Sequence, residues 1–189
     1  YLENLNNSKK PFIIYKSNIG FDLYTDFSKK IILTKNNIEK FINQSTKLKS
    51  KKKETDLFIG FFGYEILNNL IGIKVKKQKG LKFPKGIFYK PETKKKLSNK
   101  LNYKNLGIVR DNKLFKININ KSSYKIIFDK FKKKIRSGET YQIKICTKYS
   151  NKTQIDALDF FCRLVKSNMA PEAFMIKDKD YSIISCSPE

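Results

Sequence analysis

The chain has 189 residues, 40% of them hydrophobic, and a formal net charge of +24. That hydrophobic fraction excludes a disordered tail and provides a core for one domain or two small ones. The charge is almost all Lys, with Arg only at Arg110, Arg136 and Arg163. It therefore reads as a solvated surface on an ordinary enzyme, without the forked contacts of a nucleic-acid binder.

Pro11–Tyr15 is a β-rich run, Asn18-Ile19-Gly20 a turn, and Phe21, Leu23 and Tyr24 continue the apolar pattern. Ile31–Thr34 predicts another strand. Asn36 or Asn37 then caps a short helix carrying Ile38, Phe41 and Ile42 on one face. Lys47–Lys53 is a solvated basic loop. Phe58–Glu65 is aromatic and broken by Gly60 and Gly63, which predicts a buried strand closely approached by another backbone. A helix with Ile66, Leu67, Leu70 and Ile71 follows, and Phe83–Tyr89 enters a further strand. Residues 90–105, opened by Pro91, predict a polar surface excursion near a boundary. We place that boundary between 105 and 106, with Leu114, Ile117 and Ile119 in the connector beyond it.

From residue 122 the pattern sharpens. Ser122 or Ser123 caps a helix whose stripe is Tyr124, Ile127, Phe128, Phe131 and Ile135, and Gly138 stops it. Tyr141, Ile143, Ile145, Thr147 and Tyr149 then alternate with Gln142, Lys144, Cys146 and Lys148, the pattern of a strand. Asp156 caps a second helix, with Leu158, Phe161, Cys162, Val165 and Met169 on its stripe and Pro171 blocking its continuation. Phe174–Ile176 and Tyr181–Ile184 predict a hairpin around Asp178-Lys179-Asp180. The alternation of elements without βαβ regularity predicts an α+β fold with largely antiparallel sheets and packed helices.

Three widely spaced cysteines and no His exclude a Cys/His zinc site and any Ser-His or Cys-His nucleophile pair. Free thiols, the lack of a secretory signal and the lack of a long apolar run predict a cytoplasmic protein without a membrane partner. Acid–base chemistry then falls to carboxylates, Lys, Tyr or Cys.

The ordered set Ser137-Gly138-Glu139-Thr140-Tyr141-Gln142, a helix, a strand pair and Ser187-Pro188-Glu189 resembles the start of the chorismate-binding domain of the chorismate-utilising enzymes. Phe58–Glu65 and Phe83–Tyr89 resemble landmarks of that family's N-terminal half. The resemblance implies a partial anthranilate synthase component I-like sandwich: an N-terminal region over 1–105 and the beginning of the chorismate-binding domain over 106–189. A start at Tyr1 and an end on Glu189 predict a piece of a longer protein.

The same resemblance implies that Glu189 is the catalytic general acid or base. It makes Gln142 a substrate-pocket candidate, with a backbone-satisfying amide as the alternative. Ser17, Asn168 and Pro171 correspond to the family's tryptophan pocket, where Lys16 replaces an acid and Glu172 an aromatic residue. Those departures favour the aminodeoxychorismate synthase branch over anthranilate synthase. The implied partners are chorismate and a glutamine amidotransferase supplying ammonia. The implied cofactor is Mg²⁺, with no ligands before residue 189. A basic nucleic-acid-binding module is the competing reading from another class.

Overall fold

The computed structural model describes residues 1–46, 53–73, 84–101, 103, 115–152 and 155–186. They fall into two units, Tyr1–Asn105 with Asp156–Glu189, and Leu106–Ile155. In chain order the first unit contains α1 (Leu2–Asn7), β1 (Phe12–Ser17), β2 (Gly20–Ile32), α2 (Ile38–Thr46), β3 (Ile59–Phe62), α3 (Tyr64–Leu70) and β4 (Gly86–Leu97). The second contains β5 (Lys116–Ile117), α4 (Lys121–Arg136) and β6 (Tyr149–Ser150), after which α5 (Ala157–Asn168), β7 (Ala173–Lys177) and β8 (Ser182–Ser185) complete the first.

The first unit is built on a six-stranded sheet in the order β3-β4-β2-β1-β7-β8, antiparallel in every ladder. Side-chain alternation explains its two faces. Phe12 and Ile14 of β1, Phe21 and Leu23 of β2, and Ala173 and Met175 of β7 pack against Leu158, Phe161 and Cys162 of α5. Ile13, Tyr24 and Ile176 turn the other way and meet Ile87 and Tyr89 of β4. Ile59 and Phe61 of β3 and Ile183 of β8 pack on that same cluster, although β3 and β8 are the two edges of the sheet. The sheet is therefore curled about this apolar face. A third cluster, Leu33, Ile38, Phe41, Ile66 and Phe88, seats α2 and α3. The expected α+β class with antiparallel sheets is the observed one.

Several local expectations are corrected. β2 is one strand of 13 residues and not two runs. It stays continuous because it absorbs an irregularity: Asp26 adopts φ 52, and the register with β4 slips between Phe27 and Lys29. Asp tolerates that left-handed backbone better than most residues. The polar stretch after Pro91 is not a loop but the outer half of β4, which runs to Leu97. Pro91 pairs with Phe27 at the slip, where a missing N–H is tolerated. Asn37 does not cap α2 with its side chain: its Oδ1 accepts from the Thr34 N–H (2.8 Å) and its Nδ2 donates to the Ile32 carbonyl (2.9 Å). Of the apolar residues expected on the helix face, Ile66 is fully buried, while Leu67 of α3 and Ile71 just beyond it are exposed.

Asp156 does cap α5, accepting from the Asp159 N–H at 2.8 Å, and its Oδ2 accepts from Asn6 Nδ2 at 2.7 Å. The helix ends at Asn168, where Met169 takes φ 47 and is exposed instead of continuing the stripe. The β7–β8 hairpin forms as expected. Gly60 and Gly63 explain the close approach of β3 to β4: a Cβ on them would lie 1.9 Å from the Ile87 carbonyl oxygen and 2.2 Å from that of Lys85.

In the second unit, Asn120 and not Ser122 or Ser123 caps α4, its Oδ1 accepting from the Ser123 N–H at 2.8 Å. Gly138 ends the helix with φ 76. The expected strand over 141–149 is not laddered through its length. Among the described residues only Tyr149–Ser150 enters a ladder, with Lys116–Ile117. No residue of α4 is buried, so its apolar stripe lies on the surface of this unit.

Candidate functional site

Antiparallel pairing of β1 with β7 sets Lys16 opposite Ala173. Two segments far apart in sequence, Ile14–Ser17 and Asn168–Ala173, thereby become neighbours. Lys16 Nζ donates to the carbonyls of Ala170 (2.7 Å) and Pro171 (3.2 Å). Beside it, burial and then the neighbouring Glu172 carboxylate raise the pKa of the Tyr15 hydroxyl. Ser17 Oγ accepts from the Ile19 N–H at 3.2 Å and closes the turn into β2. A tethered ammonium thus occupies two main-chain acceptors, and its charge repels any second ammonium brought to them.

Ser17 also borders a polar cavity of about 280 Å³ shared with Asp22, Glu54, Lys94 and Asn99. Lys94 Nζ lies 3.3 Å from Asp22 Oδ2 and 3.4 Å from Glu54 Oε2, so the cavity's central charges are largely mutually compensated. Inside the curl, a smaller apolar cavity of about 180 Å³ is lined by Ile13, Tyr15, Ile59, Gly60, Phe174 and Ile176.

Asn168 has a second connection. Its Nδ2 donates to the Cys186 carbonyl at 2.6 Å, joining the end of α5 to the exit of the β7–β8 hairpin. Cys186 packs against the α5 face of the sheet and its Sγ lies 3.9 Å from the Leu164 carbonyl. The chain leaves this anchor toward Ser187-Pro188-Glu189. Glu189, the expected catalytic carboxylate, lies outside the described residues.

Gln142 belongs to the second unit and is exposed, with its backbone carbonyl accepting from Thr140 Oγ1 at 3.1 Å. Tyr141, on the same face of the expected strand as Ile143 and Ile145, is 92% exposed. Glu139 pairs with Lys134, and that ammonium holds its carboxyl below the usual range.

Sequence reasoning missed one cluster altogether. Asp178 in the hairpin turn is buried and meets Lys30, Tyr89 and Tyr181. An Asp in an Asp-Lys-Asp turn reads as a solvated turn residue, and no local signal announces its partners on β2 and β4. The buried Cys162 thiol is no nucleophile, since burial pushes it up to about 11. Among the described residues no group of His, Cys, Asp and Glu could hold a metal ion, and no helix is long and apolar enough to cross a membrane.

A family model described as chorismate binding enzyme matches residues 5–189. Anthranilate synthase component 1 of Buchnera aphidicola subsp. Rhopalosiphum padi is 33% identical over 98 residues. That alignment covers 52% of this chain and 19% of the relative, so the chain spans about a fifth of the curated protein it matches.

Proposed function

We propose, from the premise that this chain belongs to the chorismate binding enzyme family, that it forms part of a component I enzyme transferring ammonia to chorismate. The observation that carries the reading is the family match over residues 5–189. Of the branches, we favour aminodeoxychorismate synthase: ammonia replaces the ring hydroxyl at C4, water leaves, and 4-amino-4-deoxychorismate forms for folate synthesis. Lys16 on the carbonyls of Ala170 and Pro171 supports this choice, because a resident cation disfavours an amino-acid effector at Ser17, Asn168 and Pro171. The Buchnera relative supports a second reading, anthranilate synthase component I, in which ammonia adds at C2, the C4 hydroxyl leaves as water, and pyruvate is then eliminated to give the aromatic ring.

In either branch Glu189 is the general acid or base at the ring, and Gln142 is a candidate for the substrate pocket. A carboxyl group brought into a sheet-lined cavity is desolvated, which raises its pKa toward the range useful for proton transfer. Asn168 fixes the carbonyl three residues before it. Mg²⁺ is the proposed cofactor, since a hard cation with oxygen ligands neutralises the carboxylates of chorismate. The family resemblance implies that its ligands lie beyond residue 189. The ammonia donor is a glutamine amidotransferase subunit, consistent with the relative's designation as component 1.

The test is turnover by the parent enzyme with chorismate, ammonium and Mg²⁺, products being separated by mass spectrometry. Aminodeoxychorismate supports the first branch, anthranilate the second, and unchanged chorismate refutes both. The 189-residue chain alone is expected to turn over no chorismate. Salt-sensitive binding of DNA or RNA by the chain would favour the nucleic-acid reading instead.

A further inference from the structure

Asp178 is 7% exposed, yet four donors converge on its carboxyl group. Lys30 Nζ lies 2.5 Å from Oδ2, the Tyr89 hydroxyl donates to the same oxygen, and the Tyr181 hydroxyl stands 3.4 Å from it. The Lys179 N–H donates to Oδ1 at 2.7 Å. Tyr181 and Lys179 belong to the hairpin's own loop. Lys30 is on β2 and Tyr89 on β4, and in the sheet β4 is separated from β7 by both β2 and β1. The bond from Tyr89 to Asp178 is therefore no contact between neighbouring strands. It spans the concave side of the curl, beside the apolar cluster of Ile13, Tyr24, Ile87, Tyr89 and Ile176.

We propose that Asp178 is a latch: its carboxylate, held by Lys30 and Tyr89, keeps the β7–β8 hairpin closed over the apolar concave face, and protonation of that carboxylate releases the hairpin. The proposal concerns the chain itself and does not depend on the reaction of the parent enzyme.

The ladder between β1 and β7 persists without the latch, because its backbone bonds from Phe12 to Lys16 do not involve Asp178. β8 is held less broadly: it is an edge strand of four residues, paired only with β7 among the described strands and tied to α5 at its exit through Asn168 and the Cys186 carbonyl. Release should therefore loosen the loop and β8 before the rest of the sheet.

Charge supports the direction of the switch. Burial opposes ionisation of Asp178, but Lys30, Tyr89 and the Lys179 amide outweigh it and hold the carboxyl below its ordinary range. Tyr89 is shifted upward by burial and by its bonds to Asp178 and Tyr181, so it stays a donor. Among the groups that meet here, Asp178 is the carboxylate, so it is the one whose charge acid removes. A depressed carboxyl contributes stability that is full above the unfolded-state value of about 3.9 and is lost as pH falls through the lower folded value.

The test is amide exchange of the 189-residue chain, corrected for intrinsic rates, compared between peptides of 178–186 and of 86–97 at pH 7 and near pH 2, below the depressed folded value. In the wild type, exchange in 178–186 should rise roughly ten- to hundredfold in acid, the scale expected for losing a charge-assisted hydrogen bond, while 86–97 stays protected. Asp178→Asn should show the raised exchange at pH 7 already and lose the acid step. Tyr89→Phe should weaken protection yet retain the step, since the carboxylate remains. Wild-type protection in Asp178→Asn, a surviving acid step in that variant, or simultaneous loss of protection in 86–97 would each overturn the latch. If Asp178→Asn does not fold, Lys30→Met decides: hairpin exchange raised at pH 7 upholds the proposal, and unchanged exchange rejects it.

Discussion

Replacing Gly60 by Ala adds one methyl group where the sheet has no room for it. The new Cβ would lie 1.9 Å from the Ile87 carbonyl oxygen, 2.7 Å from Phe88 Cα and 2.8 Å from the Ile87 carbonyl carbon. All three are backbone atoms, so no rotamer change relieves the overlap. Even close C–H···O contacts keep carbon and oxygen about 3.3 Å apart. β3 must therefore retreat from β4 by more than about 1 Å, which breaks one or two ladder bonds of a four-residue strand. At about 0.5–1.5 kcal/mol per bond, together with overpacking, the cost is about 1–3 kcal/mol. A chain of this size then loses about 3–10 °C in melting midpoint. Gly86→Ala is the control: its Cβ would meet Leu33 side-chain atoms at 3.1 and 3.2 Å and the Phe61 carbonyl oxygen at 3.2 Å, needing shifts of only tenths of an ångström. Thermal melts of both variants, with amide exchange over 59–62, decide the matter. Were Gly60→Ala to melt with Gly86→Ala and keep β3 protected, the close-approach argument would be wrong.

Asp156→Ala removes the acceptor for the Asp159 N–H and for Asn6 Nδ2, and should lower stability by about 1–2 kcal/mol in urea unfolding. Asp156→Asn, which keeps an acceptor oxygen, should recover most of that loss, and equal losses would contradict the capping role. Thiol labelling at pH 8 should modify exposed Cys146 rapidly and leave Cys162 unmodified until denaturant is added. The same buried thiol, raised to about 11, contributes stability that is full below the unfolded value of about 8.5 and fades as pH rises toward 11. A Cys162→Ser chain that shows the same alkaline decline would remove that contribution.

What the sequence disclosed was local. Asp156, the stripe of Leu158, Phe161 and Cys162, and the hairpin turn at Asp178–Asp180 each carry their signal within a few residues. Continuity across irregularities did not. Asp26 and Pro91 each look like strand breakers, and only their placement at and beside one register slip makes them compatible with long strands. Asn120 is hard to pick out in the sequence because Ser122 and Ser123 follow closely, and Asn and Ser cap about equally well. The segment 141–148 has the alternation of a strand, but alternation alone does not create a ladder, and among the described residues the ladder here begins at Tyr149. At the site, the meeting of Ile14–Ser17 with Asn168–Ala173 was anticipated from resemblance, whereas the bonds of Lys16 and Asn168 follow from strand register and were not legible. Asp178 was hidden for the same reason: its partners lie on β2 and β4.

The register of β1 has a consequence for biosynthesis. One edge of β1 is covered at once by β2, the next strand to leave the ribosome, but the other waits for β7 at Ala173–Lys177. At about 5–20 residues per second, that partner emerges on the order of ten to thirty seconds later. Throughout that interval the nascent chain offers Phe12, Ile13 and Ile14 on an open strand edge, a template for intermolecular pairing. Lys9 and Lys10 immediately before it, and a polypeptide of net charge +24, supply the repulsion that keeps neighbouring chains apart until translation reaches β7.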